Sequence, residues 1–184
     1  MNTRSYWQRT VLAMAVTAAG LMTGIAPAVA SQNETRLPTL RDDPDAAPWQ
    51  EAEVPPPPAF NADKTVPFDV SRNSELQHGI DPATLSMGSD DVVRYVRIAR
   101  SSQGAFNAVY EGIRCNSAEV RTYAHWNPAS NSWKSNAQAP WRSLFNQPAT
   151  LPAKALAQAG LCDGTTPNGK PEKMVRDLRY GKKP

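Results

Sequence analysis

The chain has 184 residues, with 20 Lys and Arg against 17 Asp and Glu and only two cysteines. That length suits one domain plus a tail. The small positive balance gives no reason to expect a nucleic-acid partner, and neither His78 nor His125 sits at metal-ligand spacing with either cysteine.

Arg4 and Arg9 precede an apolar run over 11–25, and Ala28-Val29-Ala30 forms a small-residue cleavage site before Ser31. This is the pattern of a secretory signal peptide over residues 1–30. The apolar run is short for a membrane span, although an uncleaved N-terminal anchor is the alternative. The expected location is the periplasm or cell envelope, with surface display left open and no transmembrane segment after cleavage.

Residues 31–64 read as a Pro-rich acidic leader, largely extended. They hold seven of the seventeen prolines, including the run Pro55 to Pro58, and seven acids against Arg36, Arg41 and Lys64. A proline run favours the polyproline conformation and acts as a stiff spacer. Trp49 and Phe60 are the side chains by which it would lie against the body. From Val92 onward fourteen Lys and Arg face five Asp and Glu. Leader and body would attract each other, but the simpler expectation is that both are solvated surface.

A single domain is expected over 65–180, with a frayed tail at 181–184. Thr65 to Val70 is a short strand in which Pro67 suggests an edge or a bulge. Asp69 to Gly79 is polar and reads as a loop, Asp81-Pro82 opens a turn, and Thr84 to Met87 is a second short strand.

The centre of the chain is Asp90 to Cys115. Val92 to Arg100 is dense in β-branched residues and Tyr, and Ala105 to Cys115 carries Phe106, Val109, Tyr110 and Ile113. With the Ser101-Ser102-Gln103-Gly104 link this is a hairpin. A helical reading competes, because Arg94, Arg97 and Arg100 recur every three residues behind a possible Ser89 cap.

Glu119 to Trp126 alternates, with Val120, Thr122, Ala124 and Trp126 on one face and Glu119, Arg121, Tyr123 and His125 on the other. After the Asn127-to-Asn131 turn, Trp133 returns on a short strand opposite Trp126 or Tyr123. Trp141, Leu144 and Phe145 are expected to cover one end of the core. Thr150 would cap a helix that stops at Gly160, with Leu151, Ala155, Leu156 and Ala159 as its apolar stripe. Pro171 to Tyr180 would be a last helix, with Met174, Val175 and Leu178 inward.

Export places Cys115 and Cys162 in an oxidising compartment, so one bridge is the natural pairing. The fold class is therefore α+β: an antiparallel sheet of five or six short strands with one or two C-terminal helices, stapled by that disulfide.

Asp91-Val92-Val93-Arg94-Tyr95, Ser102, Gly104-Ala105, Asn107, Tyr110-Glu111-Gly112-Ile113-Arg114-Cys115, Tyr123-Ala124, Trp133, Trp141-Arg142 and Cys162 together resemble the cryptic neisserial protein one-like family of exported proteobacterial proteins. The likeness runs from about Trp49 to Cys162, and YEGIRC is its most specific piece. It implies no particular activity. The order of features is more loosely similar to surface-adhesin E-like domains, which implies an antiparallel sheet with a helix packed on it and members that bind host macromolecules. No binding motif carries over from them.

No nucleophile elbow, Gly-rich phosphate loop or metal-ligand cluster appears in the sequence. Neither catalytic residues nor a metal or cofactor is expected. His125 with an acidic partner would be the base of a small envelope hydrolase, but a half-exposed strand histidine is the simpler identity. Glu111, on an apolar run, would need Arg94, Arg97 or Arg114 as a partner. Arg94, Arg97 and Arg121, interleaved with Tyr95 and Tyr123, form the candidate binding face on the sheet. An envelope protein or an anionic polymer would be its partner, unless the Arg stems merely cover the sheet. The functional expectation is an exported, non-catalytic binding module, with a periplasmic assembly factor as a further alternative.

Overall fold

The computed structural model describes residues 48–72, 74–145 and 147–182. The signal peptide expected over 1–30, the leader before Pro48 and the last two residues of the tail lie outside the described residues.

The main sheet is antiparallel and built from β1 (Val66–Phe68), β2 (Gln77–Ile80), β3 (Ser86–Met87), β4 (Val92–Arg100), β5 (Phe106–Arg114), β6 (Glu119–Asn127), β7 (Ser132–Ser135) and β8 (Arg142–Ser143). Its order is β1-β2-β4-β5-β6-β7, with β3 beside β4 and β8 beside β6. A helix α1 (Leu151–Leu156) continues into a wider turn over 157–161. The small pair β9 (Cys162–Asp163) and β10 (Thr166–Pro167) follows, then helix α2 (Pro171–Tyr180). The α+β antiparallel class expected from the sequence is the class observed, and the Val92–Arg100 run is a strand.

The β4–β5 hairpin is the spine, in unbroken register from Val92 opposite Arg114 to Arg100 opposite Phe106. Gly104 closes its turn at φ 86°, a conformation that costs other residues more. Successive side chains leave a strand on opposite faces, so the sheet has two apolar sides. Val93, Tyr95, Ile113 and Val120 face the helices and meet Leu156, Leu161 and Met174. Val96, Ile98, Ala108, Tyr110, Tyr123 and Ala124 form the other face, against Val54, Phe60 and Ala62 of the N-terminal segment.

Four expectations change. Residues Gln77 to Gly79 are not a loop: they pair in turn with Arg100, Ala99 and Ile98 of β4, and β1, with Pro67 at its centre, closes the edge beyond them. A β-bulge makes Thr122 pair with Glu111 and Ala124 with Tyr110, leaving Tyr123 as the extra residue. From there the alternation inverts, so Ala124 and Trp126 share a face with Tyr123 rather than with Val120.

The third change is in α1, where Leu156 is buried as expected but Leu151 is exposed, and Ala153, Ala157 and Leu161 are buried. The Thr150 hydroxyl does not cap α1; it donates to the carbonyls of Ser143 and Gln147. Fourth, Gly160 is not the stop but lies inside the last turn. A Cβ there would meet Leu178 Cγ at 3.0 Å, so its missing side chain lets α2 approach.

Two attachments hold the helical layer. The Cys115–Cys162 disulfide, with Cα atoms 5.7 Å apart, joins the end of β5 to the exit of the α1 turn. At α2, Asp177 is nearly buried: Lys173 reaches it at 2.8 Å and the Asn168 side-chain amide donates to it at 2.9 Å. Lys173 first, then Asn168, holds the Asp177 carboxyl down to about 2.

Each attachment has a measurable consequence. Replacing both cysteines with serine should lower unfolding stability in denaturant by about 4 kcal/mol, the chain-entropy value for a loop of this size. Because the folded pKa of Asp177 is depressed, its contribution is complete above the ordinary carboxylate value of about 4 and is lost as pH falls from there. Thermal unfolding between pH 5 and pH 2 should therefore show a shallower pH dependence for Asp177→Asn than for the wild type.

Candidate functional site

The sequence pointed to Arg94, Arg97, Arg121, Tyr95 and Tyr123 as an open basic face. The structure divides them between the two sides of the sheet and closes both. Tyr95 is 0% exposed and Arg94 only 2%. On the helix side, Arg97 makes a two-pronged pair with Glu111 (Nε–Oε2 3.0 Å, Nη2–Oε1 2.9 Å), and the Tyr95 hydroxyl donates to the same carboxylate at 3.3 Å. Glu111 thus has the structural partner its apolar setting required. Beside it, His78 lies in β2 rather than in a loop. Burial first, and then the Arg97 charge, pushes its imidazole below the ordinary value.

On the opposite side Arg94, Arg121 and Tyr123 do converge on a carboxylate, but it belongs to the same chain. Asp90 grips Arg94 at 2.7 and 3.1 Å. Glu51, from the Pro-rich segment, takes a 2.5 Å bond from the Tyr123 hydroxyl, pairs with Arg121 at 2.5 Å and lies 3.5 Å from Arg94. Burial, then the Glu51 carboxylate, raises the Tyr123 hydroxyl well above its ordinary value. Burial raises Asp90, but the bonds from Arg94 and from the Ala52 and Val92 amides outweigh it and leave the carboxyl below its usual range.

Acidic leader and basic body are therefore not simply solvated surface where they meet. Trp49 and Phe60 anchor the segment at its two ends, as their placement in the sequence suggested. The Trp49 indole donates to the Asp90 carbonyl at 3.1 Å and its ring lies 3.8 Å from the Arg114 guanidinium carbon. Phe60 meets Trp126, Trp133 and Phe106, with ring centroids 5.1, 5.3 and 6.3 Å away. The Trp133 indole donates to the Pro58 carbonyl at 3.2 Å. A cleft of about 430 Å³ lies among these rings, but Asp63, its one carboxylate, is paired with Arg100 at 2.9 Å.

His125, the candidate base, is exposed on β6 between Val109 and Lys134, with no hydroxyl or carboxylate in hydrogen-bond reach among the described residues. Among those residues there is also no cluster of three metal-ligating side chains.

The most distinctive opening is on the disulfide side. A cavity of about 340 Å³ is walled by Cys115, Ala118, Leu144, Ala157 and Cys162, with Phe145, Lys154, Gln158, Gly164 and Lys182 completing it. Leu144 covers the core end, but Phe145 does not: it is 49% exposed. The Lys154 ammonium stands 4.9 Å from the centre of the Phe145 ring, and the Lys182 ammonium donates to the Cys162 carbonyl. Sequence reasoning missed this site. Its walls come from four separate stretches, around 115–118, 144–145, 154–164 and 182, that become neighbours only in the folded chain.

The fold and the opening define a small disulfide-bonded α+β domain whose disulfide-side pocket and aromatic cleft both fall in the size range of small-ligand sites. A family model described as the CNP1-like family matches residues 44–179, so the chain belongs to that family. This bears out the resemblance carried by YEGIRC and the residues around it. No curated protein and no solved structure matches the chain.

The Glu51 contacts set a stability test. Glu51→Ala leaves Arg121 without its carboxylate and Arg94 with Asp90 alone, and should cost about 3 kcal/mol in denaturant unfolding. Asp63→Ala breaks a pair whose carboxylate is 87% exposed and should cost less than about 1 kcal/mol.

Proposed function

We propose that this protein is an exported, non-catalytic binding module of the cell envelope, and that its contact surface is the disulfide-side pocket rather than the basic sheet face. The observation that carries this reading is where the charged side chains are spent. Arg94, Arg97 and Arg121 answer Asp90, Glu111 and Glu51 inside the fold. Side chains satisfied by one another have little left for an external partner. Lys154 and Lys182 have no carboxylate partner among the described residues, and they stand beside an apolar opening with an exposed aromatic ring. An apolar concavity with a few polar groups is the ordinary composition of a recognition site.

The test is sedimentation of the purified mature protein with native envelope fragments, comparing wild type with Phe145→Asp. Phe145 is half-exposed, so the variant should fold, and matched circular dichroism and unfolding midpoints verify that. Retention of the wild type and its loss in the variant is the expected result. Equal retention of both, or retention of neither, overturns the reading.

A further inference from the structure

We infer that the disulfide-side pocket binds the aliphatic tail of an anionic amphiphile, with its carboxylate held between Lys154 and Lys182; this rests on the binding-module reading above. The apolar half of the argument is the wall. Cys115, Leu144, Ala157 and Cys162 are each at least nine-tenths buried yet line an open cavity of about 340 Å³. The disulfide fixes two of these four and so keeps the floor formed without a ligand. A preformed apolar cavity admits a chain without first breaking protein–protein contacts, and water leaves it on binding.

The charged half is the rim. No Asp or Glu lines the pocket, whereas two Lys do. Lys154 lies against the Phe145 ring and Lys182 against a backbone carbonyl. Those contacts stabilise an ammonium but do not neutralise it, so both keep their charge available for an anion. The two come from α1 and from the chain just after α2, and both line this opening. A neutral amphiphile would leave both ammonium groups unanswered, and a cationic one would be repelled. An anionic head with an apolar tail is the ligand that satisfies wall and rim together.

The probes are decanoate, decanol and decyltrimethylammonium below their micellar concentrations. They are titrated calorimetrically into the full mature protein, with amide shifts of Ala118, Gln158 and Gly164 followed by NMR. Decanoate should bind and move those amides, decanol should bind more weakly and the cation should not bind. Lys154→Gln with Lys182→Gln removes two charge-assisted contacts and should weaken decanoate by about tenfold or more, with little effect on decanol.

Equal binding of all three probes, decanoate affinity unchanged in the double variant, or shifts confined to other amides overturns the inference. Absence of decanoate binding also overturns it. If envelope retention still depends on Phe145 in that case, only the ligand class has failed and the binding-module reading stands.

Discussion

The Glu51 carboxylate is the contact on which the arrangement of the N-terminal segment depends. Arg94 is buried at the centre of one sheet face, and a buried guanidinium must be answered by negative charge. Asp90 supplies the first partner from four residues away. Arg121 brings a second cation to the same face, and the carboxylate that answers it comes from the Pro-rich segment. Two cations and two anions then close on one another, with the Tyr123 hydroxyl as a further donor. Such a cluster adds little stability over well-packed apolar side chains, but any other seating of the segment leaves a charge without a partner. The described part of the segment forms no ladder with the sheet. Its position is set by this cluster, by Trp49 at one end and by Phe60 at the other.

The six residues YEGIRC show how densely one strand is used. Tyr110 packs on Tyr123, with ring centroids 5.3 Å apart. Glu111 holds Arg97 on the opposite face. Gly112 leaves room for the Tyr123 ring; a Cβ there would come within 2.6 Å of its hydroxyl oxygen. Ile113 fills the helix-side core, Arg114 lies over Trp49 and Cys115 enters the disulfide. Alternation along the strand sends odd and even positions to different layers, so this one run contacts both the helices and the N-terminal segment. It specifies a fold without specifying a reaction.

Much of the architecture was legible because it rests on local signals. β-branched density and a Gly turn marked the β4–β5 hairpin, helix spacing marked α2, and two lone cysteines behind a signal-peptide pattern marked the bridge. The failures were non-local. Strand β2 has a polar sequence and is recruited by β4, so no pattern within it announces pairing. The bulge at Tyr123 is invisible to a period-two count, which assumes an unbroken register. The basic face was misplaced for a simpler reason: Arg94 and Arg97, three residues apart on β4, leave on opposite faces, and Arg97 and Arg121 share neither a face nor a partner. Glu51, which covers Arg94 and Arg121, lies far upstream of both, 70 residues before Arg121. The disulfide-side pocket left no signature because no single segment contains it.

The docking of the N-terminal segment also constrains the order of folding. Glu51 and Tyr123 are 72 residues apart in the chain, and Pro58 and Trp133 are 75 apart. The segment leaves the ribosome before any of the strands it covers, yet its seat exists only after β6 and β7 have joined the sheet. Loop-closure entropy of this size is repaid late, and chains rich in distant contacts fold slowly. The face formed by Val96, Ile98, Tyr110 and Ala124 stays open to water until a segment that lies upstream of every strand it covers has been seated.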